Sequence, residues 1–279
     1  MSAITQCYSM RRKKQNGKFI DFPCGQCGNC RQSIKTEWLS RLTLEWKDAI
    51  TAYFVTLTYN ADTLPFDSKG QPSLDYDDID KFNMRMRNYI RRKVKNKLPE
   101  DREYKYFIVG EYGTKTFRPH YHGILFNVPQ EAIDKLPRIW KAGHITASRL
   151  DSESAIKYTC KYAFKDAFQT DREVPCKSRK SNSLGLARAL RYPQNEHQGL
   201  YDMGEYKFPL PKAWIKHFYS EDQWKGIQRM NHIRQQNEYY ELANELEEQG
   251  YQNGLDGIRE LQILKSKDRM RNANRNKRL

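Results

Sequence analysis

Residues 118–126 read RPHYHGILF. The apolar run after the second histidine marks a β-strand, and side chains two apart on a strand leave the same face. His120 and His122 therefore aim at one point and form a two-ligand bite for a metal. Paired surface histidines share that spacing, so the pair alone leaves both readings open; imidazole ligation needs a third group and a shielded pocket. Just upstream, YKYFIVGEY (104–112) is a second strand, and GTKTFRP (113–119) joins the two as a hairpin. Antiparallel pairing across that turn brings the Glu111 carboxylate beside the imidazoles. Glu111 is then either the third ligand or a hairpin-end charge. A His/His/carboxylate set with open positions suits Mg2+ or Mn2+ acting on a phosphate oxygen.

Working outward, AYFVTLTYN (52–60) is rich in β-branched and aromatic residues and predicts a strand. Residues 31–47 put Ile34, Trp38, Leu42 and Trp46 at spacings of four, an amphipathic helix. A loop covers 64–73. A helix over 77–97 follows, acidic at its start and basic at its end, as the macrodipole favours. A short helix lies within 129–143, a strand over 144–150, and a helix from Ser152 to about residue 168. This order predicts an α+β fold: one mainly antiparallel sheet with flanking helices. Beyond residue 170, SRKSNSLG (178–185) reads as loop and 221–249 as a polar helix. The final 16 residues hold seven bases and one acid, either a solvated end or a phosphate-binding arm. Three segments result: a cysteine-rich stretch with its helix (1–48), a core (49–170) and a helical extension with a basic tail (171–279).

The chain carries 49 Lys plus Arg against 34 Asp plus Glu, a net +15 with a pI near 9.4. That balance suits a polyanion, since each neutralised phosphate releases counterions; solvation of an ordinary surface is the other reading. Eighteen Tyr and 12 Phe serve base stacking or a core equally. No run of about 18 apolar residues exists, so no membrane span is expected. The N-terminal stretch has a basic patch without an apolar segment after it, and six cysteines are too few for a secreted scaffold of this length. A reducing cytoplasm is expected.

Two further clusters stand out. In IKYTCKYAFKDAF (156–168), Tyr158, Lys161, Tyr162 and Lys165 fall within one helical arc of about 100°. Ile156, Cys160, Ala163, Phe164 and Ala167 occupy the other side. The Tyr/Lys stripe is either a solvated face with snorkelling amines or a reactive one. At the N-terminus, Cys7 joins Cys24, Cys27 and Cys30 of PCGQCGNC (23–30). Four thiolates make a closed tetrahedral zinc site, with unligated thiols as the alternative. Cys160 and Cys176 lie outside that set.

FVTLTYN (54–60), GEYGTKTFRPHYHGILF (110–126) and YTCKYAFK (158–165) resemble, in order, the three motifs of HUH-endonuclease rolling-circle replication initiators. With the PCGQCGNC opening and the Trp-containing helix, the chain is most similar to the replication initiators of gokushovirus-type microviruses, over roughly residues 7 to 170. Tyr121 is bulkier than the usual aliphatic residue between the histidines. The resemblance implies a Rep-like sheet whose central strands carry His120, His122 and Glu111 around Mg2+ or Mn2+. It also implies a helix laying Tyr158 and Tyr162 against that sheet as nucleophiles, accompanied by Lys161 and Lys165. The implied reaction nicks and rejoins single-stranded origin DNA, leaving a 3′-OH and a 5′-phosphotyrosine, in a bacterial host cytoplasm. No G-x-x-x-x-G-K-[ST] occurs, so unwinding and synthesis fall to partners, a host helicase and polymerase. Two other readings stay open: a non-enzymatic, zinc-stabilised DNA-binding protein, and a plasmid or transposon nickase with the same chemistry.

Overall fold

From the N-terminus, strands β1 (Arg11–Gln15) and β2 (Lys18–Phe22) form a two-stranded ribbon ahead of helix α1 (Gly28–Asp48). There follow β3 (Ala52–Tyr59), α2 (Tyr76–Lys93), β4 (Lys105–Tyr112), β5 (Pro119–Phe126), α3 (Gln130–Ile133), α4 (Leu136–Trp140) and β6 (Gly143–Arg149). After β7 (Ser178–Lys180) come α5 (Leu186–Arg191), the short strands β8 (Glu196–His197), β9 (Leu200–Asp202) and β10 (Lys207–Pro209), and helices α6 (Lys212–Phe218), α7 (Glu221–Glu248) and α8 (Gly254–Arg275). This computed structural model describes residues 6–15, 17–95, 98, 103–113, 116–153, 156–157, 172–204 and 207–275. The chain divides into two compact units, 38–192 and the combination of 1–37 with 193–279.

The 38–192 unit is built on a five-stranded sheet of order β6-β3-β5-β4-β7, antiparallel at every pairing. It is the mainly antiparallel α+β sheet the sequence predicts. The strand with both histidines, β5, lies at its centre. Along β3, Tyr53, Val55, Leu57 and Tyr59 are all buried, while Phe54, Thr56 and Thr58 between them are only partly so. That alternation is the period-2 signature of a strand with unequal faces.

The fully buried face packs against α2. Ile79, Phe82 and Met86, at helical spacing, join Val55, Leu57, Tyr121, Leu125 and Trp140 in one core. Asp75 caps α2 by accepting from the Asp77 N–H at 2.8 Å. Asp77 and Asp78 in the first turn, and Arg91, Arg92 and Lys93 in the last, oppose the helix dipole. The close fit of β5 on β4 requires a glycine after the histidines: a Cβ on Gly123 would sit 2.7 Å from the Phe107 carbonyl oxygen and from Ile108. On the other face, the 38–48 part of α1 covers the end of the sheet at Ala52, Phe107, Ile124 and Phe126, with Leu42, Trp38 and Trp46 in that cluster. Buried Glu45 takes the Lys105 amine at 2.9 Å and the Gly185 N–H at 2.8 Å.

In the other unit, α7 starts with a capping box between Ser220 and Gln223 and packs on α8 through Ala243, Leu246 and Ile258. Gly28, at the start of α1, donates its N–H to Ser266 of α8 at 2.8 Å. It approaches the Ser266 backbone too closely for any Cβ.

Three expectations change. The helix predicted over 77–97 ends at Lys93, because Val94 turns into the core, 4% exposed. SRKSNSLG is not all loop: Ser178–Lys180 is an edge strand paired with Val109–Phe107 of β4. The basic C-terminal stretch is neither free end nor free arm as far as Arg275. It continues α8, whose Gln262 and Ser266 are buried and whose Arg269 holds Asn29 at 2.7 Å. Among the described residues, no helix is long and apolar enough to cross a membrane.

Candidate functional site

Hairpin register sets the site. Glu111 stands opposite His120, and Val109 opposite His122, across β4 and β5. All three polar side chains therefore leave the face of the sheet away from α2. His120 Nε2 lies 3.6 Å and His122 Nε2 3.4 Å from the same Glu111 oxygen. One donor atom from each residue falls within 4.8 Å of the others. Two donors on one ion at about 2.1 Å, under octahedral or tetrahedral angles, stand about 3.0–3.4 Å apart. The set fits a divalent cation that still keeps open positions. Glu111 is 7% exposed while His120 and His122 are 21% and 16% exposed, so the carboxylate forms the floor and the imidazoles the accessible rim.

Both rings are aimed by their far nitrogens. His120 Nδ1 lies 3.2 Å from the Arg118 carbonyl oxygen. A carbonyl only accepts, so Nδ1 carries the proton and the Nε2 lone pair points to the site. His122 Nδ1 is 3.0 Å from Thr56 Oγ1 on β3, and Phe54 stacks on the same ring at 5.7 Å and 8°. Sequence reasoning missed Thr56 as a site residue. Its signal was present as a threonine within FVTLTYN, but the pairing of β3 with β5 spans more than sixty residues.

Tyr121, between the ligands, points the other way and is fully buried. Its hydroxyl donates to the Asp75 carbonyl at 2.7 Å and accepts the Asp75 N–H at 2.8 Å, and meets the Tyr59 hydroxyl at 3.0 Å. Burial drives both phenols well above the ordinary tyrosine range. The bulky middle residue thus ties the ligand strand to the cap of α2. Toward β6, the ligand face continues with Thr58 and with exposed His144 and Thr146. At the hairpin end, the Arg172 guanidinium lies 4.9 Å from the Tyr112 ring and 4.8 Å from that of Phe117.

Tyr158, Lys161, Tyr162 and Lys165, with Cys160, lie outside the described residues. Ile156, the buried residue two positions before Tyr158, packs with Phe107, Val109 and Ile124 on the ligand face.

The second cluster belongs to the other unit. Cys7, Cys24, Cys27 and Cys30 bring four sulfurs within 4.8 Å of one another. Cys24 and Cys30 sulfurs are 3.9 Å apart, as are those of Cys27 and Cys7. These are too long for disulfides, and near the about 3.8 Å edge of a tetrahedron with metal–sulfur bonds of about 2.3 Å. Backbone N–H groups of Cys27 and Gln26 point at the Cys24 sulfur at 3.3 and 3.4 Å. Burial raises the Cys24 thiol, but these N–H bonds outweigh it and pull it down to about 6, whereas burial pushes Cys27 and Cys30 up. A cation would relieve the cost of four such thiolates. Cys176 is not part of either site; it is buried in the core under the sheet.

Comparison with known proteins agrees with the site. Residues 52–167 match the model of a replication-associated protein family, that of the ORF2 proteins. The chain is 29% identical over 245 residues to the replication-associated protein ORF2 of Spiroplasma virus 4, covering 77% of this chain and 72% of that protein. It is 29% identical over 176 residues to the replication-associated protein VP4 of Bdellovibrio phage phiMH2K, covering 57% of this chain. Against the replication-associated protein ORF4 of Chlamydia phage 1 the figures are 28% over 162 residues and 51% of this chain. The chain spans 52% and 38% of the lengths of those last two relatives. No solved structure matches. The likeness to microvirus-type replication proteins carried by the motifs is borne out by these matches.

Proposed function

We propose, on the premise that this chain is of the microvirus replication-protein type, that it initiates rolling-circle replication by nicking and rejoining single-stranded origin DNA. The observation that carries the reading is the convergence of Glu111, His120 and His122 on one sheet face, with both Nδ1 atoms already engaged. A Mg2+ or Mn2+ ion held by those three residues supplies polarisation of a non-bridging phosphate oxygen. The phenol oxygen of Tyr158 or Tyr162 attacks phosphorus, the P–O3′ bond breaks, and the strand is left with a 3′-OH and a 5′-phosphotyrosine. Lys161 and Lys165 serve that exchange by holding the phosphate, lowering the phenol pKa or protonating the departing 3′-oxygen. A phenol, with a pKa of about 10, leaves as readily as it attacks, so the linkage stores the bond for rejoining. With two tyrosines, one holds the first 5′ end while the other cuts the regenerated origin.

The packing of Ile156 on the ligand face supports an approach of the tyrosine segment to the same side. The net +15 charge supports a DNA partner. Residues 49–170 are the nicking core in this reading, Cys7, Cys24, Cys27 and Cys30 hold a structural zinc, and a host helicase and polymerase act with the chain in the bacterial cytoplasm. A purely DNA-binding role would leave the three converging ligands without a task.

The test is incubation with candidate origin oligonucleotides and Mn2+ followed by a denaturing gel. A covalent protein–DNA band is expected, lost only when Tyr158→Phe and Tyr162→Phe are combined. Each single variant should nick but fail to release closed circles over repeated rounds. Peptide mass spectrometry with adducts on one tyrosine alone would overturn the two-tyrosine exchange, and no band with any origin strand would overturn nicking itself.

A further inference from the structure

The ribbon β1–β2 has no task in the nicking reading. It is the chain between two of the clustered cysteines: Cys7 precedes it, Cys24 follows it, and the Cys24 N–H donates to the Cys7 sulfur at 3.3 Å. A lone two-stranded hairpin is marginal in water, and here the cysteine cluster clips its base. Residues 11–22, RRKKQNGKFIDF, hold five bases and one acid. Every residue of β1 is exposed. On β2, Phe19 is 68%, Ile20 47% and Phe22 38% exposed. Large apolar side chains on a solvated ribbon are costly unless a partner covers them.

The register makes a pattern of these residues. Arg11 faces Phe22, Lys13 faces Ile20, and Lys14 faces Phe19. Each apolar side chain of β2 thus has a cationic one beside it from β1. Same-face positions recur about every 6.7 Å along a strand, a spacing comparable to one nucleotide of extended single-stranded DNA. Arg12 is engaged with Asp21 through two bonds of 2.8 and 2.9 Å, which ties the strands together and leaves the other bases for a ligand. Cation and ring side by side suit a polyanion whose bases expose their π-faces. A duplex keeps those faces stacked inside, so Phe19 would gain little from it.

We propose that this cysteine-clipped ribbon is a single-stranded DNA-binding arm, in which Arg11, Lys13 and Lys14 meet phosphates while Phe19 and Phe22 stack on unpaired bases. The arm belongs to a different unit of the chain from the Glu/His/His site, and its binding does not depend on nicking. The test is fluorescence anisotropy with labelled oligodeoxythymidine and the full chain in a His120→Ala background, so that nothing is cut whatever the fate of the nicking reading. Phe19→Ser and Phe22→Ser should each weaken binding about tenfold, the worth of one base–aromatic stack. Combined Lys13→Gln and Lys14→Gln should flatten the slope of log affinity against log salt by about 1.4. These lysines are fully solvated, so that variant remains informative if a Phe replacement disturbs the ribbon, and zinc content and circular dichroism report such disturbance. Unchanged affinity and salt slope would overturn the arm. A loss seen with a duplex stem but not with the single strand would overturn the choice of partner.

Discussion

Glu111, His120 and His122 stand on the middle of a five-stranded sheet, whereas Cys7, Cys24, Cys27 and Cys30 are gathered from the base of a ribbon, a turn and the first residues of a helix. The first cluster inherits its geometry from main-chain pairing that exists without a ligand: Glu111 meets His120 because β4 and β5 are in register. The second has little hydrophobic support of its own and brings four ionisable sulfurs together, a costly arrangement unless a cation compensates. Donor count follows the same division. Three donors on a part-exposed face leave room for a substrate atom, while four sulfurs fill a tetrahedron. A site that must keep an open position is safest on a rigid scaffold, and a site that closes completely can itself be the scaffold.

That contrast can be broken most severely at the cysteines. Chelation of zinc, or Cys27→Ser, should cost on the order of 10 kcal/mol locally and unfold the N-terminal segment. Limited proteolysis and thiol titration should show residues before α1 cut and all four thiols reactive, with the sheet still protected. Thiols that react at the same rate before and after chelation would show that no ion holds them.

At the sheet the expected cost falls on activity instead. His120→Ala or His122→Ala should lower nicking by about a thousandfold, several kcal/mol of transition-state stabilisation, with almost no change in melting temperature. A collapse of the fold on either replacement would erase the distinction between the clusters. Thr56→Val removes the partner of His122 Nδ1 and should weaken the dependence on Mn2+ by about ten- to a hundredfold, read from nicking rate against metal concentration. If Thr56→Val behaves as wild type, His122 is oriented by packing on Phe54 alone. The smallest effect belongs to Tyr121→Phe. Loss of the hydroxyl leaves the Asp75 N–H and carbonyl short of a partner and should cost about 1–2 kcal/mol in urea denaturation, while nicking at saturating metal stays near normal. A large loss of nicking there would mean that the α2 cap sets the ligand geometry directly.

Much of the site was legible because its determinants are local. His120 and His122 share a face by strand periodicity, and Glu111 reaches them across one hairpin, so nine residues of spacing suffice. The four cysteines were legible as a set for their chemistry alone. Thr56 was not, since nothing in a threonine of one strand announces which strand will lie beside it. Tyr121 looked only like an oversized insertion until its hydroxyl was seen bridging both backbone groups of Asp75.

By itself the sequence determined the alternation of β3 and β5, the amphipathic α1 and α2, the hairpin that pairs Glu111 with His120, and the charge that suits a polyanion. These rest on side-chain periods of two and of 3.6, which each segment carries within itself. Only the tertiary structure decided that SRK becomes an edge strand, that α2 stops at Lys93, and that the basic C-terminal stretch is a helix bonded to the start of α1 through Ser266 and Arg269. Those outcomes depend on main-chain donors and acceptors, and on the space left by distant segments. Every residue offers the same N–H and C=O, so no local pattern records which distant partner they find.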